Sequence, residues 1–320
     1  MTQPSPSNVA KGAHSAAPTG DRTGIPLSGP PGGPQGRRRD IEGGISSGIS
    51  VDIHTDIAKD IPRDIPNQVR HGAPNLARGR IIGIASGKGG VGKTWFAVTL
   101  AHALARTGRR VLLFDGDLGL ANVDIQLGLT PVRDLSAVIA GRARLRDVVL
   151  RHDEAGFDVL PGRSGSGALS GLDPAALEHV LDALREAAAG YDVVLLDLGA
   201  GLDRAVRQMA AFADTLVVVA TEEPTSLTDA YAVLKLHGGD RPGGEARVVV
   251  NQAGNRASGE RTYATLARAC STFLGRAPAL LGVVRRDERV RDAIRRQTPL
   301  LARHPNCAAA EDVEAIAGAL

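Results

Sequence analysis

The sequence points to an α/β fold: a single doubly wound, mostly parallel sheet with helices on both faces, preceded by a disordered N-terminal tail. Three features carry that expectation. From Arg80 onward, short apolar runs alternate with helical patterns, the order in which β-α-β units with right-handed crossovers are built. Hydrophobic residues make up 43% of the chain and aromatics only 3%. The core must therefore be Val, Leu, Ile and Ala, which suits parallel strands covered on both sides. Finally, a glycine-rich segment separates the first apolar run from the first helical one. Ligands of such sheets bind at the carboxyl ends of the strands.

Residues 1–79 are rich in Pro, Gly, Ser and Arg and carry no sustained apolar period, so they are expected to form the disordered tail. Within them Asp-Ile pairs recur every four residues, at Asp52-Ile53, Asp56-Ile57, Asp60-Ile61 and Asp64-Ile65. That spacing suits one helix face, but Pro62 and Pro66 oppose a long helix. The segment reads as a low-complexity stretch, or as a short motif that folds on a partner. The domain is expected over residues 80–320. Strands are expected at 81–85, 111–114, 157–160, 193–197, 216–220, 247–251 and 280–284. Helices are expected near 93–107, 173–189, 203–213, 225–237, 257–274, 286–296 and 309–319.

A chain of 320 residues holds one large domain with a tail, or two small ones. Its net charge of +3 does not by itself call for nucleic acid. Cys270 and Cys307 are the only cysteines and form no CxxC, so a reducing cytosol is the expected setting. No apolar run is long enough to span a bilayer. The first ten residues lack the apolar stretch of a secretory signal. A cytoplasmic protein is expected.

Gly87-Lys88-Gly89-Gly90-Val91-Gly92-Lys93-Thr94 follows the first strand and opens the first helix. It satisfies the phosphate-binding pattern G-x-x-x-x-G-K-[ST] in the context that pattern requires. The glycines let the backbone turn its N–H groups toward phosphate oxygens, and the helix N-terminus adds partial positive charge. Lys93 is expected to reach the β- and γ-phosphates, and Thr94 to ligate Mg²⁺. Lys88 is not required by the ordinary loop. It turns the motif into the deviant form K-G-G-x-G-K-T.

The second strand ends in Asp115-Gly116-Asp117. Asp117 is expected to orient the attacking water, and Asp115 to hold Mg²⁺ through water or to tether the loop. Four apolar residues, 193–196, precede Asp197, which is a Walker B pattern expected to support Mg²⁺. The following Gly199-Ala200-Gly201 suits a switch that senses the γ-phosphate. Asn251-Gln252 end another strand. An amide there is either a polar strand terminus or a reader of the adenine edge.

Together these residues resemble the MinD/ParA family of dimerising ATPases, over about residues 80–320. The segment 115–128, DGDLGLANVDIQLG, and the segment 223–232, EPTSLTDAYA, are similar to the flagellar-number branch named FlhG or FleN. The resemblance implies ATP and Mg²⁺ as cofactors and a homodimer that sandwiches two nucleotides. It implies that Lys88 acts in trans on the partner's phosphates, as an arginine finger does. It also implies that Asp117 orients water, that Asn122 lies near the dimer face, and that Asn251 reads adenine. The branch limits flagellar number and placement at the cell pole or flagellar base. It does so with a signal-recognition-like GTPase (FlhF), flagellar switch proteins and, in some bacteria, a transcriptional activator. The alternative is a ParA-like partition ATPase whose ATP dimer binds DNA non-specifically.

Some residues depart from the family pattern. Trp95 stands where a smaller or polar residue is usual. Arg285-Arg286 replace a Pro-acidic pair, which is expected to alter adenine packing. The last apolar stripe, Val313, Ile316, Ala317 and Leu320, faces Glu311, Asp312 and Glu314 and no base. It is expected to pack on the domain, because membrane-binding helices need a basic face. Asn67-Gln68-Val69-Arg70 is only a faint echo of the branch's GTPase-activating segment. The arginines at 285, 286, 289, 291, 295 and 296 are interleaved with Asp287, Glu288 and Asp292 and read as a solvated face. DNA or anionic lipid is the alternative use. Metabolic relatives are disfavoured: the cysteines are misplaced for an iron–sulfur reductase, no chain remains for a glutaminase domain, and Tyr191, Tyr231 and Tyr263 make no autokinase cluster.

Overall fold

A computed structural model describes residues 79–117, 120–162 and 173–320. The expected tail, its Asp-Ile repeat and residues 67–70 lie outside the described residues. An eight-stranded sheet is built from β1 (Arg80–Ser86), β2 (Val111–Gly116), β3 (Leu150–His152), β4 (Phe157–Leu160), β5 (Val193–Ala200), β6 (Thr215–Ala220), β7 (Glu245–Ala253) and β8 (Ala279–Arg285). Its order is β3-β4-β2-β5-β1-β6-β7-β8. Every neighbouring pair is parallel except β3–β4. The helices are α1 (Lys93–Arg106), α2 (Val123–Leu127), α3 (Leu135–Ile139), α4 (Pro174–Ala187), α5 (Arg204–Phe212), α6 (Pro224–Asp240), α7 (Arg256–Leu274), α8 (Glu288–Arg295), α9 (Leu300–Arg303) and α10 (Ala308–Gly318).

Adjacent residues of each central strand enter opposite cores, as the two-residue period requires. Ile81, Leu112, Val194 and Val218 pack with α4 to α7 through Leu184, Met209, Leu234 and Leu266. Ile82, Leu113, Leu195 and Val217 pack with α1 and α10 through Phe96, Leu100, Val313 and Ile316. The sheet is thus doubly wound, with both faces covered. Local chemistry sets several helix starts. Asp203 accepts from Val206 N at 3.0 Å, Asn255 and Ser258 form a capping box, and Pro174 and Pro224 open α4 and α6.

All seven expected strands and all seven expected helices are present. Four short elements were not anticipated: β3, α2, α3 and α9. β3 is three residues of a hairpin closed on β4, where His152 stacks on Phe157 with ring centroids 5.8 Å apart. β5 also runs three residues beyond Asp197, so that Leu198 and Gly199 are buried strand rather than loop. The terminal stripe packs as expected: Val313, Ile316 and Ala317 are buried. The fit is close, since a Cβ on Gly282 would lie 2.5 Å from Cγ1 of Ile316.

Arg285 also makes contacts away from the phosphate loop. Its guanidinium turns to the C-terminal helix, with Nε 2.8 Å from Oδ2 of buried Asp312 and Nη2 3.2 Å from Glu311. Asp312 also receives Arg256 at 3.1 Å. The guanidinium therefore pins β8 to α10, while Arg285 and Arg286 both line the cleft beside Asn251 and Trp95.

Candidate nucleotide site

The strand–loop–helix from β1 to α1 lies at the centre of the sheet, beside the carboxyl ends of β5 and β6. Gly90 and Gly92 adopt φ of 83° and 85°, a region open to glycine and strained for other residues. A Cβ on Gly92 would also meet Asn251 Nδ2 at 2.6 Å.

Lys93 Nζ lies 2.6 Å from Oδ1 of Asp197, and the two side chains are only 7% and 0% exposed. The other oxygen, Oδ2, is buried without a hydrogen-bond partner among the described residues. Burial pushes the Asp197 carboxyl up, while Lys93 and the Thr94 hydroxyl favour its charged form. An unsatisfied buried carboxylate oxygen is unfavourable, and this one, on β5, lies beside Lys93 and Thr94. Such a donor set fits a magnesium-bound nucleotide: Thr94 and Asp197 suit a hard cation, and Lys93 and the loop amides suit its phosphates.

Asp115 sits opposite Asp197 on the neighbouring strand. Its Oδ1 accepts from Asp117 N at 3.2 Å, and its Oδ2 from the amides of Asn122 and Val123 at 2.9 and 3.0 Å. Burial and the nearby Asp197 push this carboxyl up to about 7. Of the two expected roles, tethering the loop is the one the geometry displays, because both oxygens already serve backbone donors. Asp117 is half-buried and accepts from Leu120 N at 3.0 Å. A Cβ on Gly199 would lie 3.5 Å from its Oδ1, so Asp117 faces the glycine segment. Gly201 N donates to Ser86 O at 3.0 Å, which joins that segment to the start of the phosphate loop.

Lys88 points away from the loop interior. Its Nζ lies 2.7 Å from Glu223 Oε2 and 3.1 Å from Thr225 Oγ1, just before and within the first turn of α6. The Lys88 ammonium holds the Glu223 carboxyl below its ordinary range. Sequence reading singled out the segment 223–232 without seeing this pairing. No spacing rule joins residues 135 positions apart.

Asn251 is 2% exposed. Its Nδ2 donates to Val91 O at 2.8 Å, and its Oδ1 accepts from Gln252 N at 2.9 Å. The amide expected to read adenine thus also braces the phosphate loop. It lines a 330 Å³ cleft together with Gly90, Gly92, Trp95, Val290 and Ile294. Gly90, Gly92, Asn251 and the Arg285-Arg286 pair were expected near the nucleotide, whereas Val290 and Ile294 were not legible as cleft walls, because α8 enters from the far end of the sheet order.

Arg289, Arg291, Arg295 and Arg296 of the basic run lie 3.8, 3.5, 3.9 and 3.8 Å from carboxylates of Asp287, Glu288, Asp292 and Asp292 respectively. Arg303 and His304 lie 2.6 and 2.9 Å from Asp292. Hydrogen bonds from Arg303 and His304 bring the Asp292 carboxyl down to about 2. A solvated, ion-paired face is what the interleaving predicted.

A parallel sheet with a deviant phosphate loop at its centre and a Walker B carboxylate on the adjacent strand defines a P-loop ATPase. The chain belongs to the CobQ/CobB/MinD/ParA nucleotide binding domain family, which its residues 82–300 match. It is 40% identical over 238 residues to the antiactivator FleN of Pseudomonas aeruginosa, covering 74% of this chain and 85% of that protein. It is 29% identical over 248 residues to the flagellum site-determining protein YlxH of Helicobacter pylori, covering 77% and 83%. The fold is similar to that of the septum site-determining protein MinD of Pyrococcus horikoshii OT3 complexed with Mg-ADP. There the TM-score is 0.63 at 28% identity, with 75% of this chain and 94% of that one covered.

Proposed function

We propose that residues 80–320 form an ATP-dependent dimerisation switch that regulates flagellar number, placement or assembly. The flagellar part is carried by the 40% identity to the antiactivator FleN. The switch part is supported by the way Lys88, Asp117 and Gly199–Gly201 surround one phosphate loop.

In this reading the loop amides and Lys93 bind the phosphates of ATP. Thr94 and Asp197 hold Mg²⁺, which supplies charge neutralisation when bound. Asp115 fixes the segment that carries Asp117. Asp117 positions the attacking water and accepts its proton. Lys88 leaves Glu223 and Thr225 to act on the partner subunit's nucleotide. Leu120, Ile125 and Leu202 are exposed apolar side chains beside these segments, and a second copy would cover them. Partners are a homodimer mate and, by analogy with the flagellar branch, the FlhF-type GTPase and switch proteins. The location is the cytoplasm, at the pole or flagellar base. DNA is a weaker reading, because the basic run shares its charge with Asp287, Glu288 and Asp292. Membrane attachment through α10 is disfavoured by the burial of its apolar stripe, and no described helix is long and apolar enough to cross a bilayer.

The direct test is to count flagella by electron microscopy with and without this chain, and with the Asp117→Ala form added back. A changed number or position is expected. An unchanged count with normal motility would sink the flagellar assignment.

A further inference from the structure

Trp95 is the only tryptophan of the chain and the third residue of α1, directly after Thr94. It is 5% exposed, yet it forms part of the cleft that opens from Gly90 and Gly92 toward Asn251, Val290 and Ile294. Its indole Nε1 is buried and has no hydrogen-bond partner among the described residues. A buried indole N–H ordinarily finds an acceptor, because desolvating a donor without replacement is unfavourable. Arg286 and Arg291 line the same cleft. The cleft's 330 Å³ is within the range of small-molecule sites, about 300–1,000 Å³.

A flat aromatic ring, branched aliphatic side chains and guanidinium groups share one concavity that is continuous with a phosphate loop. Each of these surfaces packs well against a planar heteroaromatic ring. The loop fixes where the phosphates lie, so the group left to fill the adjoining cleft is the nucleoside. We infer that Trp95 is a nucleoside-contacting residue: its indole forms a wall against the base and ribose and favours purine over pyrimidine nucleotides. The preference follows from ring size, since a purine buries more area against the indole than a pyrimidine does. This deepens the nucleotide-switch reading and rests on it.

The experiment uses the full chain, whose emission has a single tryptophan source. Mg-ADP and Mg-CDP are titrated by calorimetry and by fluorescence in parallel. A saturable change in Trp95 emission is expected, with the midpoint that calorimetry gives for Mg-ADP. Trp95→Thr should weaken Mg-ADP binding about tenfold and narrow the ADP/CDP preference, and Trp95→Phe, which keeps a ring, should lose about threefold. Calorimetric binding of Mg-ADP with unchanged emission, or an unchanged ADP/CDP ratio in Trp95→Thr, would overturn the role of Trp95 and leave the switch intact. Absence of calorimetric binding in the parent protein would remove the nucleotide site itself, and Trp95 with it. If Trp95→Thr does not fold, the parent emission and Trp95→Phe decide the matter.

Discussion

Lys88 and Glu223 form an ion pair within one subunit, with 2.7 Å between Nζ and Oε2 and Thr225 Oγ1 at 3.1 Å from the same nitrogen. A lysine proposed to serve the partner subunit is therefore held by its own. On that proposal dimerisation exchanges one set of oxygens for another, so both sides of the exchange are open to mutation. Lys88→Ala should keep most of the affinity for ATP and lose the ATP-dependent dimer, read by light scattering after size exclusion. Glu223→Gln weakens the in-chain contact. Because the pair is exposed and contributes little, the dimer fraction at fixed ATP should rise only a few-fold. A Glu223→Gln dimer weaker than the parent's would mean that Glu223 supports the interface rather than competing with it.

Lys93 presents a different balance. Its pair with Asp197 is buried, and removing one partner of a buried pair commonly costs about 3–5 kcal/mol. Proton uptake by Asp197 limits that cost, since burial already pushes its carboxyl up. Lys93→Ala should lose nucleotide affinity and also unfold at lower denaturant in the absence of nucleotide. Adding Asp197→Asn should recover much of the stability and none of the affinity. Equal stability of the single and double variants would show that the pair does not hold the apo loop.

The two carboxylates of the second strand's end should separate cleanly. Asp115 accepts three backbone N–H groups, whereas Asp117 accepts one. Asp115→Ala should destabilise the fold by about 2–3 kcal/mol, the scale of buried donors left unpaired. Asp117→Ala should leave the thermal midpoint nearly unchanged, abolish phosphate release and let ATP dimers persist. Phosphate release at the parent rate by Asp117→Ala would falsify the water-orienting assignment.

Much of this site could be read from the chain because its parts are local. The phosphate loop needs glycines at fixed offsets between a strand and a helix, and Asp197 ends an apolar strand, so Gly87–Thr94 and Asp197 were visible as motifs. The sheet was visible for the same reason: each β-α step is a short-range pattern. Contacts set by the sheet order were not visible. Glu223 reaches Lys88 because β6 lies next to β1, and Val290 meets the cleft because β8 ends its sheet two strands further out. Arg285 lines the cleft and is also a pin for Asp312, which no sequence spacing connects to it. The short elements α2 and β3 escaped for another reason. Their few residues have no period to detect, and one is shaped by the tether from Asp115 and the other by the β4 hairpin.

The last expectation concerns acid. His102 on α1 is buried, and burial, with Arg106 and His152 nearby, brings its pKa from 6.5 down to about 4. The folded state therefore keeps this imidazole neutral, while the unfolded chain protonates it below about pH 6.5. Between those values the unfolded state binds more protons, so stability rises with pH across the window. The contribution is complete above pH 6.5 and declines as pH falls toward 4. By pH 5 about 2 kcal/mol should be lost through this one group. Urea midpoints at pH 7 and pH 5 measure it, and His102→Leu supplies the comparison, since leucine has nothing to protonate. The parent should lose more stability between the two pH values than His102→Leu does. An equal loss in both proteins would place the acid sensitivity of this window elsewhere, and not at Asp292, whose pKa of about 2 keeps its carboxylate charged from pH 7 to pH 5.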